Sequence, residues 1–376
     1  MGLTSDKVLV LAVGCAVALF AGTVWCWPRL ARRGWRAVGG RIGLLLATQL
    51  SLFATAGLAV NQAFGFYADW ADLLGRETAQ GVVVDHATVA GGAGGALRVT
   101  DARDLPAAGG ARPGTAGRIQ RVEISGRTTH LTVPAYVYLP PEYFRPRYRT
   151  RTFPAAVVLT GYPGTARALV DKLHYPHTAH ALAKDGRMRP MVLVMLRPTV
   201  APPRDTECVD VPGGPRAESF FARDLPDAVA AHYRVGRGPG GWGIIGDSTG
   251  GYCALKLALH HPEVYAAGAG LSAYYKAPTD PTTGDLFHRN KDLKNRSDLW
   301  WCLKHLRAPA TSLLVTSSRA GEPNYKDTLK FIERVKATGR TGISSIILDS
   351  GGHNFTTWRR EIPAALQWLS ERLDDR

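Results

Sequence analysis

Acidic residues are in short supply in this chain. Its 376 residues hold 31 Asp and Glu against 46 Lys and Arg, a formal net charge of +15. Such an excess invites a nucleic-acid reading, but the basic residues are dispersed and no nucleic-acid module is visible, so no nucleic-acid partner is expected. An anionic envelope or lipid surface fits the charge better. Cysteine is scarcer still, at five residues, and no Cys/His spacing resembles a zinc site. No phosphate-binding glycine loop opens a strand-helix-strand unit, and no internal repeat is apparent. Metal and cofactor are therefore both expected to be none.

Charge is missing altogether from two stretches near the N-terminus. Residues 8–27, VLVLAVGCAVALFAGTVWCW, and 42–64, IGLLLATQLSLFATAGLAVNQAF, are each long enough to cross a hydrocarbon core. Between them lie Arg29, Arg32, Arg33, Arg36 and Arg41 with no acid. Short Arg-rich loops are retained on the cytoplasmic side, which puts both ends of the pair outside. Phe64, Phe66, Tyr67 and Trp70 suit an exit through the outer headgroup zone. Two other readings of the first stretch stay open: a cleaved secretory signal, and a lipoprotein box ending at Cys15. Residues 1–74 are thus read as an anchor, and residues 75–117, rich in Gly, Ala and Pro, as a linker in which GVVVDHATV could add a strand.

From residue 118 onward apolar runs alternate with helical patterns. RIQRVEISG and HLTVPAYVYLPPEY read as strands turning at Gly126. FPAAVVLTGYPG, MVLVMLRPT, GWGIIGDS, TSLLVTSS and SSIILDSG read as further strands. Helices are expected over 166–184, 218–233 and the closing stretch RREIPAALQWLSERL. The fold class is α/β with a mostly parallel sheet.

Within this pattern, Gly246-Asp247-Ser248-Thr249-Gly250 places a G-x-S-x-G motif between a buried strand and a helix, the context of a nucleophile elbow. Glycines flank the serine because neighbouring backbone crowds a tight strand-to-helix turn. Ser248 is then the candidate nucleophile, and the Thr249 amide at the helix N-terminus can face an oxyanion. A serine hydroxyl needs a base, and the base needs an orienting carboxylate. His353 lies after the last strand and before the last helix, where a base following in chain order belongs. His260 and His261 sit on the helix after the nucleophile, and His174, His177 and His180 precede it. For the acid, Glu322 and Asp327 both follow TSLLVTSS, Glu322 sooner. Asp349 reads as a loop-ordering group, and Asp247 as a filler of the elbow's variable position.

The stretches GDSTGGYCALKLALHHPEVYAAGAGLSAYY and GGHNFTTWRREIPAALQWL resemble the esterase family of α/β-hydrolases that includes esterase D, ferric-enterobactin esterases and mycobacterial mycolyltransferases. The likeness spans roughly residue 117 to the C-terminus. It rests on His261-Pro262-Glu263 followed by a strand and a serine, and on Phe355 and Trp358 after the histidine. It implies an α/β-hydrolase fold. By analogy with the mycolyltransferases it favours Glu322 as the acid, and it implies a second oxyanion donor in TGYPGTA, from the amide of Gly161 or Tyr162. Pro163 has no amide hydrogen. The chain departs from the usual G-x-S-M-G-G, and no trehalose-binding pattern is present, so no substrate is carried over.

Of the cysteines outside the apolar stretches, Cys253 is expected to be a core thiol. Cys208 and Cys302, in loop-like segments, are expected to form a disulfide. The whole reads as a membrane-anchored extracytoplasmic serine esterase or acyltransferase acting on a lipid or glycan ester. The alternative is a catalytically silent hydrolase-fold module that binds a glycan or protein.

Overall fold

The computed structural model describes residues 6–31, 34–64, 96–106 and 112–374, in two compact units, Met1–Thr78 and Ala79–Arg376. The first unit is a pair of packed helices, α1 (Asp6–Leu30) and α2 (Trp35–Phe64). Segments Lys7–Leu30 and Trp35–Asn61, with mean hydropathy 2.4 and 1.7, are long and apolar enough to cross a membrane. Val10, Leu11, Leu50 and Phe53 point outward, whereas the hydroxyls of Thr23 and Thr48 meet at 2.9 Å between the helices. Apolar side chains thus face outward while a small polar pair sits between the helices, the reverse of a water-soluble hairpin. Phe66, Tyr67, Trp70 and the GVVVDHATV segment lie outside the described residues, and nothing is described of the Phe64 side chain.

The second unit is built on a nine-stranded sheet ordered β1-β2-β3-β5-β4-β6-β7-β8-β9. The strands are β1 (Leu97–Asp104), β2 (Arg118–Ser125), β3 (Thr132–Leu139), β4 (Ala155–Leu159), β5 (Val192–Leu196), β6 (Trp242–Asp247), β7 (Ala267–Leu271), β8 (Ser312–Ala320) and β9 (Gly342–Ser350). β1, β2 and β3 run antiparallel and join antiparallel to β5; every pair from β5 through β9 is parallel. Every residue of β4, β5 and β6 is buried, which is why those segments read as unbroken apolar runs.

Helices cover both faces. One face holds α3 (Tyr175–Lys184) and α7 (Phe355–Ser370), packing Tyr175, Leu182, Trp358 and Leu366 against Val158 and Leu193. The other holds α4 (Leu225–His232), α5 (Thr249–His260) and α6 (Tyr325–Lys336), packing Leu225, Leu255 and Phe331 against Val157 and Ile244. This sheet order, with helices on both faces, is the α/β-hydrolase architecture.

Three expectations change. β1 lies inside the stretch read as a linker, paired along its length with β2, so the sheet begins before residue 118. The helix expected over 166–184 is broken: Ala166–Asp171 ends, His174 takes a left-handed conformation (φ 55°), and α3 restarts with Pro176 in its first turn. The 218–233 helix widens into a π turn over Phe220–Asp224 before α4, where Pro226 cannot donate to the preceding turn.

Candidate active site

The carboxyl ends of the parallel strands form the edge at which open α/β sheets bind ligands. β6 ends at Asp247, and α5 begins at Thr249. Ser248 between them has φ 55° and ψ −119°, a strained conformation that turns the chain in one residue. Only glycine fits beside it. A Cβ on Gly246 would lie 2.4 Å from the Gly250 backbone, and one on Gly250 would lie 2.4 Å from the Leu159 carbonyl oxygen.

The loop after β9 brings His353 back over this turn, and its Nε2 lies 2.8 Å from Ser248 Oγ. Asn354 fixes the exit from the loop by accepting the Thr357 amide at 3.1 Å, so α7 starts at Phe355, earlier than its apolar pattern indicates. The imidazole stands edge-on to Trp358, ring centres 5.2 Å apart.

On the far side of the ring, Glu322 Oε2 lies 3.7 Å from His353 Nδ1, an ion-pair distance rather than a hydrogen bond. The Glu322 side chain is fully buried. Its Oε1 accepts the Ser272 hydroxyl at 2.7 Å, and Ser272 Oγ in turn accepts Trp358 Nε1–H at 2.9 Å. Oε2 has no hydrogen-bond partner, so the oxygen facing His353 is the one left unmatched. Catalytic hydrogen bonds are often long before substrate arrives. Asp327 is instead exposed in the first turn of α6, 3.3 Å from Lys330.

Among the other candidates, Asp349 does not order the loop. It is fully exposed at the end of β9, 3.6 Å from Arg319. His260 and His261 both contact Glu218, at 2.9 and 3.1 Å, away from the serine. Asp247 is more than a filler: it is fully buried, and its Oδ2 accepts the Gly161 amide at 2.9 Å. Burial raises its carboxyl to about 7. Beneath the site Glu361 is likewise raised by burial, to about 8, while accepting the Thr316 hydroxyl at 2.8 Å. The Thr249 side chain sits at the edge of a second buried acidic group, 3.4 Å from Asp205 Oδ2 and 3.1 Å from the Tyr274 hydroxyl, which also contacts Glu207 at 2.7 Å.

The disulfide differs from expectation. Cys208 is bonded to Cys253, not to Cys302, with Cα atoms 5.7 Å apart. Cys253 does face the interior, but the interior it faces is the folded-back 205–208 loop, and Cys208 lies directly on α5. Cys302 is buried in the helix Leu299–His305, its Sγ 3.6 Å from His260 Nε2, and burial raises its thiol to about 11. Alongside the disulfide, buried Lys256 pairs with Glu218 at 2.9 Å and donates to the Cys208 carbonyl at 2.6 Å.

Sequence reasoning missed Ser272, Tyr274 and the role of Asp247. Serine after the β7 strand was visible as part of the resemblance, yet nothing local tied it to Glu322. Among the described residues no group of three or more His, Cys, Asp or Glu side chains is arranged to hold a metal ion.

A strained serine at the carboxyl edge of this sheet, with an imidazole in contact and a buried carboxylate behind it, defines the class as an α/β-hydrolase. Residues 127–369 match the family described as "Putative esterase", and the chain belongs to that family. An uncharacterised protein of Corynebacterium glutamicum is 24% identical over 273 residues, 68% of this chain, and the match spans 62% of that relative's length. Among solved structures, a ferulic acid esterase aligns with TM-score 0.58 at 17% identity, covering 68% of this chain and 98% of its own. An S-formylglutathione hydrolase from Agrobacterium tumefaciens aligns with TM-score 0.56 at 20% identity, covering 69% and 96%. At these identities the likeness carries the fold.

Proposed function

We propose that the protein is a membrane-anchored serine esterase or acyltransferase whose catalytic unit works outside the cytoplasm. One observation carries the chemistry: the 2.8 Å approach of His353 Nε2 to the hydroxyl of a strained elbow serine. Ser248 Oγ attacks the ester carbonyl carbon as His353 takes its proton. The tetrahedral oxyanion is held by the Thr249 amide and by an amide of the Gly161–Tyr162 loop. His353 then returns the proton to the departing alkoxide, the carbon–oxygen bond breaks, and an acyl-serine remains. Water or an acceptor alcohol, deprotonated by His353, attacks the acyl carbon, and His353 returns that proton to Ser248 Oγ as the acyl–serine bond breaks. Glu322 orients the imidazole and offsets its positive charge. The two apolar helices and the basic composition favour an ester of the cell envelope, a lipid or an acylated glycan.

The rival reading, a silent module that binds a glycan or protein, draws support from the 3.7 Å gap between Glu322 and His353. Fluorophosphonate labelling separates the two. The full chain in detergent should label and should turn over a short-chain p-nitrophenyl ester. Ser248→Ala should lose both with its thermal midpoint almost unchanged. A wild-type chain that neither labels nor turns over would establish the silent module.

A further inference from the structure

The carboxyl of Asp247 stands one residue from the proposed nucleophile and is fully enclosed. Its Oδ2 accepts the Gly161 amide at 2.9 Å, while Oδ1 has no hydrogen-bond partner. Gly161 is in the loop that follows β4, and that loop lies directly on the elbow. A Cβ built on Gly161 would stand 3.0 Å from Ser248 Cβ and 3.1 Å from Asp247 Oδ2. The geometry therefore links one carboxyl to both the serine turn and the loop expected to cradle the oxyanion.

We infer that Asp247 is a positioning residue that sets the oxyanion loop by accepting the Gly161 amide hydrogen, an assignment that rests on the esterase reading above. The Gly161 amide is committed to that bond, so of the two candidate donors it is Tyr162 whose amide serves the substrate carbonyl. The same loop is braced further out, where the Tyr162 hydroxyl donates to the Pro203 carbonyl at 3.0 Å.

The charge on Asp247 matters as much as its place. A carboxylate beside the serine would oppose the negative charge that develops on the tetrahedral intermediate, whereas a neutral carboxyl can accept the amide without that opposition. Burial holds the proton on Asp247 up to about pH 7, with the Gly161 hydrogen bond and the charge of His353 pulling the other way. The titratable groups facing it are His353 from the loop after β9, Tyr175 at the start of α3 and Glu361 on α7. Tyr175 is raised well above its ordinary range and Glu361 to about 8, both chiefly by burial, so neither adds negative charge near pH 6. The neutral form dominates below pH 7 and the ionised form above it, so turnover should decline on the alkaline side.

The test is p-nitrophenyl butyrate hydrolysis by the detergent-solubilised full chain from pH 5 to 9, with fluorophosphonate labelling in parallel. Asp247→Ala should lower kcat by roughly 10- to 100-fold with KM within about twofold, since transition-state stabilisation and not ground-state binding is lost. Asp247→Asn keeps an amide oxygen that can accept from Gly161 but cannot ionise. It should recover most of the loss and abolish the alkaline decline. A wild-type kcat in Asp247→Ala, or an Asn variant as slow as the Ala variant, would overturn the proposal. Should the Ala variant fail to fold, the Asn profile decides alone, and an unchanged alkaline decline overturns the proposal. Failure of the esterase reading looks different: the wild-type chain itself would neither label nor turn over.

Discussion

Cys208 and Cys253 are joined across a sequence separation of 45, which ties the loop holding Asp205 and Glu207 to the helix that starts at Thr249. Non-reduced peptide mass mapping should therefore recover Cys208 linked to Cys253, with Cys302 alkylated only after denaturation. Closing a loop of that length restricts the unfolded chain, so the Cys208→Ser/Cys253→Ser double variant should lose about 2–4 kcal/mol of stability in denaturant titrations. Recovery of a Cys302 linkage, or an unchanged midpoint, would contradict the pairing.

Glu322 and Asp327 were the two candidate acids, and their surroundings separate them. Glu322→Gln keeps the shape but removes the charge that would stabilise the imidazolium, so kcat should fall by roughly 10²- to 10⁴-fold. Asp327→Asn, altering an exposed helix turn, should stay within about twofold of wild type. Steady-state hydrolysis of a p-nitrophenyl ester reads both, and the reverse order would move the acid to Asp327.

Glu361 should make stability fall as pH rises. The folded chain keeps its proton up to about pH 8, because burial disfavours the charge, while the unfolded chain gives it up near the ordinary value of 4.5. Between those limits the unfolded state binds fewer protons, so stability should decline across this window and level off above it. Glu361→Gln should flatten that slope and raise stability at pH 8 by on the order of 1–3 kcal/mol, read from urea midpoints at several pH values.

For the anchor, protease added to intact cells stripped of wall should release a catalytic fragment cut on the N-terminal side of β1. β1 is hydrogen-bonded along β2 and should survive within the fragment. A catalytic unit protected from protease until the membrane is permeabilised would reverse the proposed orientation.

What the sequence made legible is what is local in the chain. The elbow needed only an apolar strand, two glycines and a helix within a few residues of Ser248. His353 needed only chain order, and Glu322 its distance from a strand end. Two features stayed hidden for opposite reasons. β1 is an edge strand in which Leu97 alone is buried, so its residues carry almost no apolar alternation. The Asp247–Gly161 and Cys208–Cys253 contacts join residues 86 and 45 positions apart, and the fold alone makes them neighbours. Cys253 looked like an ordinary core thiol because its helix face is buried; what covers it is a loop whose return path no periodicity records.

Trp358 packs against one member of the proposed triad and is linked to a second through Ser272. Its indole N–H donates to Ser272, the residue bonded to Glu322, and its ring packs at a near right angle against the His353 imidazole. The fluorescence of that indole should therefore register whether the imidazole is protonated, dimming as the imidazolium forms. Against the other tryptophans of a chain that has nine, the difference between wild type and Trp358→Phe isolates its emission. A change in that difference signal during acylation would report on the proposed base without any added dye.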